Sequence, residues 1–440
     1  MTKEQNNPQE TPAPQQQSEQ PQHPLWQRLV VALVRMLVGG TFLISGFAKA
    51  IDPWGTYYKL NDYLMALGWE SMLGLTTFGA FALAIVEFVL GAMIVAGLCR
   101  RIAPLMATLI MLYMTPLTLW LAVTNAVPDC GCFGDMIALS NWATFFKNIA
   151  LLAGCIYLVI RNKRLMSVYG PAVQWIVLFV LFVFALSLCI HGYFTQPLID
   201  FRPYKVGTTL ATNATSHNED DYVFVYEKDG VEKEFALDSV PDDDSGWNYV
   251  DRRTKNSANV VERPKDAITI AAWDNGDDVS DEILANNELL LILIPEMDKV
   301  SVAYTFRINE LNEYANQHGV AVAGLTSGTD EQIAEWNDIA MAHYPLYTAD
   351  GSEIKMIARG NPAIVYMRDR KIVWKRTLMS IDADDLHDGE QSIEELGSDF
   401  VPGDILKSNL TSLIVALLLV LIINRTHLLF RIKRRIKKEK

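Results

Sequence analysis

Pro128-Asp-Cys-Gly-Cys-Phe-Gly-Asp135 stands between two strongly apolar segments and holds two of the chain's five cysteines. A single glycine separates the thiols, so a disulfide between Cys130 and Cys132 would close a tight ring. Strain of that kind raises the reduction potential and makes a bridge labile rather than structural. The side of a membrane on which this loop lies decides how the rest of the chain is read.

Working outward from the loop, apolar runs occupy residues 26–48, 72–98, 102–123, 145–160, 173–189 and 410–423. About 20 residues cross the hydrocarbon of a bilayer, so the fourth and sixth runs must recruit flanking residues. Arg28 and Arg35 sit in the start of the first run, and Arg100-Arg101 follow the second. Arg161, Lys163 and Arg164 follow the fourth; Arg425 and the Arg431–Lys440 tail follow the sixth. All four clusters fall on one side if there are six spans with both termini cytoplasmic. That topology places the cysteine loop and the long stretch between spans five and six outside the cytoplasm. In a bacterial inner membrane this is the oxidising, periplasmic side. The first apolar run follows a polar tail and lacks a small-residue cleavage site, so it is expected to remain as a span.

Charge separates the parts further. Residues 196–405 carry 41 acidic and 18 basic residues, whereas the chain as a whole has a net charge of −13. The acidity therefore belongs to the soluble stretch, which argues against nucleic acid as a partner and against docking on anionic lipid. The expected organisation is a disordered cytoplasmic tail (1–24), a five-helix membrane domain (25–192), a β-rich extracytoplasmic segment (193–285), an α/β domain (286–405) and a last span with a basic tail (406–440). Within the β-rich segment, Lys228-Asp-Gly230 between two alternating runs signals a hairpin. Beyond it the pattern is strand, helix, strand, helix, a short helix near 353–358, and a strand opened by Asn361-Pro362. Asp369-Arg370 then turns into a paired strand.

This last order, over residues 287–377, resembles a thioredoxin-like fold, with Pro362 in the place of the cis-proline that faces a thioredoxin active site. Thioredoxins carry Cys-x-x-Cys after the first core strand, where a helix start lowers a thiol pKa. Here that position reads Pro295-Glu-Met-Asp-Lys-Val-Ser-Val302, and the soluble stretch has no cysteine. The resemblance therefore implies either binding of an extended partner peptide near Pro362 or a structural cap, without disulfide exchange by this domain.

Residues 35–164 resemble the DoxX-like family that includes MauE, the methylamine-utilisation membrane protein. The resemblance rests on Gly46-Phe-Ala-Lys-Ala-Ile-Asp-Pro-Trp54, on Glu87 in the second span, and on Cys130-Gly-Cys-Phe-Gly134. It implies a helix bundle that matures or oxidises extracytoplasmic client proteins; a membrane quinone is the candidate electron acceptor for a thiol pair at this position.

The residues themselves leave alternatives open. Cys130 and Cys132 suit a redox pair, a bridge that pins the loop, or half of a soft-metal site; four zinc ligands would be needed, and no partner loop is evident. Cys189, near the outer end of span five, is either a resolving thiol or a small apolar residue packed in its helix. Cys99 and Cys155 are read as packing residues. Glu87 in hydrocarbon must be protonated, paired or turned inward. It suits a proton relay or an interhelical hydrogen bond to Thr41, Ser45 or Thr115. Lys49 and Asp52 could pair locally. The aromatic loop 52–70, with Trp54, Tyr57, Tyr58, Tyr63 and Trp69, reads as an interfacial belt in preference to a quinone or substrate site. The leading expectation is a disulfide-handling membrane protein with Cys130, Cys132 and Glu87 as catalytic residues. The alternative is a non-enzymatic scaffold or assembly factor whose soluble domain binds a partner. A transporter fits less well, because no pair of broken helices is present to cradle a substrate.

Overall fold

The computed structural model describes residues 25–127, 129–137, 139–162, 167–212, 222–228, 231–236, 248–254, 267–388 and 391–438. The expected disordered tail and the Lys228–Gly230 turn residues Asp229 and Gly230 lie outside them. Six helices are α1 (Leu25–Ile51), α2 (Pro53–Ala66), α3 (Thr76–Ala96), α4 (Ile102–Thr124), α5 (Asn141–Ile160) and α6 (Gln174–Phe194). All but α2, together with a long C-terminal helix, are long and apolar enough to cross a membrane. The protein is a membrane protein, with six such helices among the described residues.

The fourth span does recruit flanking residues. Ser140 caps α5 by accepting from the Ala143 N–H, so the helix begins before the apolar run. The sixth span, Pro402–Thr426, is the first part of a 37-residue helix and is not thin.

Small residues set the helix crossings. A Cβ on Gly46 would lie 2.1 Å from the Phe88 backbone nitrogen, and one on Gly91 would lie 2.2 Å from that of Leu43. Only glycine lets the α1 and α3 backbones touch this closely, as small residues do in membrane helix pairs.

The loop 52–70 departs from the interfacial-belt expectation. Asp52 is the N-cap of α2 and accepts from the Gly55 N–H at 2.9 Å, with Pro53 opening the helix. Acceptor and proline in those two positions are what a helix start requires. Trp54, Tyr57 and Tyr58 are buried, and Trp54 stacks on Tyr193 with ring centroids 4.8 Å apart. Their rings fill the joint between α2 and the spans. Trp69 is half exposed and stays at the edge.

After the fifth span come β1 (Ala211–Thr212), β2 (Tyr222–Lys228), β3 (Val231–Ala236), β4 (Asn248–Thr254), β5 (Ala267–Ile268), β6 (Ala271–Ala272) and α7 (Ser280–Leu284). They lead into β7 (Glu288–Ile294), α8 (Ala303–Gln317), β8 (Ala321–Thr326), α9 (Asp330–Ala340), β9 (Leu346–Thr348) and α10 (Gly351–Ile357). The region closes with β10 (Ala363–Arg368), β11 (Lys371–Thr377), α11 (Ala383–Asp388) and α12 (Ile393–Leu396), before α13 (Pro402–Lys438). β2 lies between β3 and β4 in a small antiparallel sheet. The main sheet has the order β11-β10-β7-β8-β9-β6, with β7, β8 and β9 parallel, β10 antiparallel to both β7 and β11, and β6 antiparallel to β9.

β7 is buried on both faces, which explains its unbroken apolar run Leu-Leu-Leu-Ile-Leu-Ile. Asp369 and Arg370, both at positive φ, make the two-residue hairpin turn between β10 and β11. Tyr204, Leu210, Ile268 and Ile270 pack in one cluster with Leu289, Leu291 and Val365. The α/β core therefore draws on residues before 286, and the division expected at 285 does not separate two cores. β6 joins the main sheet for the same reason.

Candidate functional site

The cysteine loop lies where α1, α2, α3 and α5 meet. Gly131 has φ +62°, and the Asp129 side chain accepts from its N–H at 2.8 Å. This left-handed turn is open to glycine and costly for a residue with a Cβ, so Cys130 and Cys132 come round onto one side. Their sulfurs are 2.8 Å apart. Lys59 pairs with Asp129 at 2.9 Å, and the Tyr63 hydroxyl donates to the Cys130 carbonyl at 2.7 Å, tying the loop to α2. The Lys147 ammonium stands 4.5 Å from the centre of the Phe133 ring.

The two thiols are not equivalent. The hydrogen bond from Cys130 to the Cys132 sulfur, helped by Lys147 and Lys49, outweighs burial and brings Cys132 down to about 6. Cys130 is driven the other way by the same bond and by burial. The direction favours Cys132 as the more acidic thiol of the pair, with Cys130 as its hydrogen-bond donor. Replacing Lys147 with Gln is expected to raise the midpoint of Cys132 alkylation by up to about one pH unit, as measured by mass spectrometry across a pH series. An unmoved midpoint would remove Lys147 from the site.

Below the loop, a polar chain enters the bundle. Lys49 Nζ lies 2.7 Å from a carboxylate oxygen of Glu87, 2.7 Å from Ser45 Oγ and 2.7 Å from the Cys132 carbonyl. Ser45 donates to Glu87 at 2.7 Å and also contacts the Cys132 carbonyl. Lys49 therefore pairs with Glu87 across the Gly46–Gly91 crossing, and the expected local pairing with Asp52 is not formed. Of the hydroxyls considered for Glu87, Ser45 is the partner; Thr41 and Thr115 bond to carbonyls of their own helices. A cavity of about 50 Å³ lies against Cys132, Glu87, Lys147 and Met111.

Above the loop, Asp52 is taken by an arginine from the soluble region. Arg359, at the end of α10, lies 2.8 Å from Asp52 Oδ2 and also pairs with Asp135, three residues after Cys132. Its backbone is held by Gln196, which accepts from the Arg359 N–H at 3.0 Å and donates to its carbonyl. The Tyr57 hydroxyl donates to Glu296 at 3.2 Å, while Lys355 sits over the Tyr58 ring at 4.6 Å. The loop after β7 and the loop before β10 thus rest on α2, directly above the cysteines.

Residues 27–161 match the family model described as methylamine utilisation protein MauE. The MauE-matching part runs from α1 to α5 and contains Ser45, Lys49, Glu87, both loop cysteines and Lys147. Arg359 lies outside it. A second family model, described only as a domain of unknown function, matches residues 221–257, around β2 to β4. No curated protein and no solved structure matches the chain.

Other expected site residues fall elsewhere. Cys189 is fully buried in the apolar cluster of Ala50, Ile51, Ala84, Phe88 and Leu188, a packing position. Cys155 is also buried, between α1 and α4. Among the described residues, no group of three or more His, Cys, Asp or Glu side chains is arranged to hold a metal ion. Pro362 is buried after a cis Asn361–Pro362 peptide bond, and the Asn361 side chain donates to the Glu296 carbonyl at 2.7 Å. The loop carrying Pro362 is engaged with the chain's own loop and α2. The cavity beside Cys132 is far smaller than the roughly 150 Å³ that accommodates benzene in an engineered apolar site.

Arg359 and Lys147 were not singled out from the sequence, and Tyr63 was read only as one ring of the aromatic loop. Asp52-Pro53 was the legible signal for α2. Nothing local to Arg359 announces that its partners lie more than 200 residues away.

Proposed function

We propose that this protein performs thiol–disulfide exchange on extracytoplasmic client proteins through Cys132 and Cys130, at the inner membrane with both termini cytoplasmic. In this reading the membrane part is a MauE- and DoxX-like bundle, and the α/β region is a thioredoxin-like domain without active-site cysteines that caps it. The observation that carries the reading is the two sulfurs 2.8 Å apart in a loop fixed from both sides, with Lys147 and Lys49 beside Cys132 favouring ionisation there over Cys130.

The exchange follows from that inequality. The Cys132 thiolate attacks one sulfur of a client disulfide, forming a mixed disulfide and releasing a client thiolate that takes up a proton. Cys130 then loses its proton and attacks Cys132 Sγ, breaking the mixed disulfide. The client gains two thiols, and Cys130–Cys132 becomes the disulfide. Run in reverse, the oxidised pair makes a disulfide in the client; relative reduction potentials set the direction. Cys132 and Glu87 line one cavity with room for a few waters, which gives Glu87 a route to the protons exchanged. No step is assigned to a quinone.

The test uses glutathione disulfide as the probe on the full chain in detergent. The Cys130→Ser variant is expected to accumulate a mixed disulfide at Cys132, because the resolving thiol is gone. The Cys132→Ser variant should give at least about tenfold less adduct at neutral pH, where the remaining thiol is protonated. Equal labelling of the two variants, or none, would count against exchange. The scaffold reading is favoured by the burial of the Pro362 loop on α2, and normal client maturation in a Cys130→Ser/Cys132→Ser strain would support it.

A further inference from the structure

At the end of the bundle opposite the cysteine loop, the turn between α3 and α4, the segment before α6 and α13 enclose a cavity of about 660 Å³. That volume is in the range of small-molecule sites. Arg100, Arg101 and Arg425 line it, and among the described residues no carboxylate does. All three arginines are exposed, and among the described residues none has an ion-pair partner. Asn424 adds an amide whose oxygen already accepts from Gly170, leaving its nitrogen as donor. The remaining wall includes Ile102 and Leu428, both about half exposed, on the side where the helices continue into the apolar zone.

We infer that this cavity binds the phosphodiester head group of an anionic phospholipid. Guanidinium forks match phosphate oxygens two at a time, which makes arginine the side chain of choice for that group. Arg425 is next to the end of the sixth span, so the three charges stand at head-group level, with apolar wall beside them for the chains. α13 packs mainly along α6, and only 6% of its span is buried. A lipid held between Arg425 of α13 and Arg100-Arg101 of the α3–α4 turn links this loosely attached helix to the bundle. The inference is independent of the thiol chemistry at the other end.

The test is native mass spectrometry of the full chain after exposure to vesicles of dioleoyl phosphatidylglycerol or dioleoyl phosphatidylcholine. About tenfold greater retention of the anionic lipid is expected. The Arg100→Gln/Arg101→Gln/Arg425→Gln variant should fall to the phosphatidylcholine level. A Lys433→Gln/Arg434→Gln/Arg435→Gln variant, which removes the same charge from the tail, should retain the lipid. Equal retention of the two lipids, or equal loss in the tail variant, would overturn the proposal. So would displacement of the lipid by millimolar inorganic phosphate, which would mark a site for the free ion. Should the cavity variant not fold, Arg101→Gln alone carries the test: partial loss supports the site and full retention contradicts it.

Discussion

Replacing Arg359 with Ala is expected to detach the soluble region from the helical bundle. The guanidinium is buried between Asp52 and Asp135, so its removal leaves two carboxylates close together without their counter-ion. Breaking a buried pair from one side costs about 3–5 kcal/mol, more than the partly exposed Lys59–Asp129 pair could contribute. In hydrogen-exchange mass spectrometry, protection of α2 and α10 should then fall by roughly two to three orders of magnitude, with the spans unaffected. Replacing Arg359 with Met and both Asp52 and Asp135 with Asn, which keeps the α2 cap, should recover most of that protection, since no uncompensated charge remains. Unchanged exchange in Arg359→Ala would show that the aromatic joint around Trp54 and Tyr193 holds the two parts without the clamp.

The second large effect is expected at the α1–α3 crossing. In Gly46→Leu, the first added carbon would sit 2.1 Å from the Phe88 nitrogen and 2.6 Å from its Cα, positions that no rotamer change relieves. The helices must part, and the cost should exceed roughly 3 kcal/mol, the upper end of ordinary overpacking. Separation would also draw Glu87 away from Ser45 and Lys49, leaving buried charges unpaired. Gly40→Ala, in the same helix with nothing within 4 Å of the added carbon, should be neutral or stabilising by under about 1 kcal/mol. Thermal unfolding of the two variants in detergent separates them; similar melting temperatures would refute the close crossing.

The sequence made the spans and the α/β order legible because both depend on local patterns: apolar runs of crossing length, and the change from alternating to helical spacing. The β10–β11 turn was legible in Asp369-Arg370 for the same reason. Pairings between distant segments were not. Lys49 is nearer in sequence to Asp52 than to Glu87, and only the glycine-permitted crossing of α1 and α3 reverses the choice. Asp52 then becomes available to Arg359, whose partner could not be guessed from an acidic stretch with many candidates. The rings of loop 52–70 suggested a lipid interface because their composition fits one; the helix cap at Asp52-Pro53 carried the contrary signal. Cys130 and Cys132 were marked by spacing alone, but their inequality depends on the hydrogen bond between the two sulfurs and, after it, on Lys147 and Lys49, which come from two other helices.

The most direct test of the central claim is the rate of alkylation of Cys132 by a membrane-impermeant maleimide in intact spheroplasts of cells expressing the reduced full chain, followed across pH by mass spectrometry. Reaction from the outer face with a midpoint near pH 6, with Cys130 unmodified until far higher pH, is the predicted result. Modification of both cysteines together only above about pH 8.5, the range of ordinary thiols, or only after the membrane is permeabilised, would contradict it.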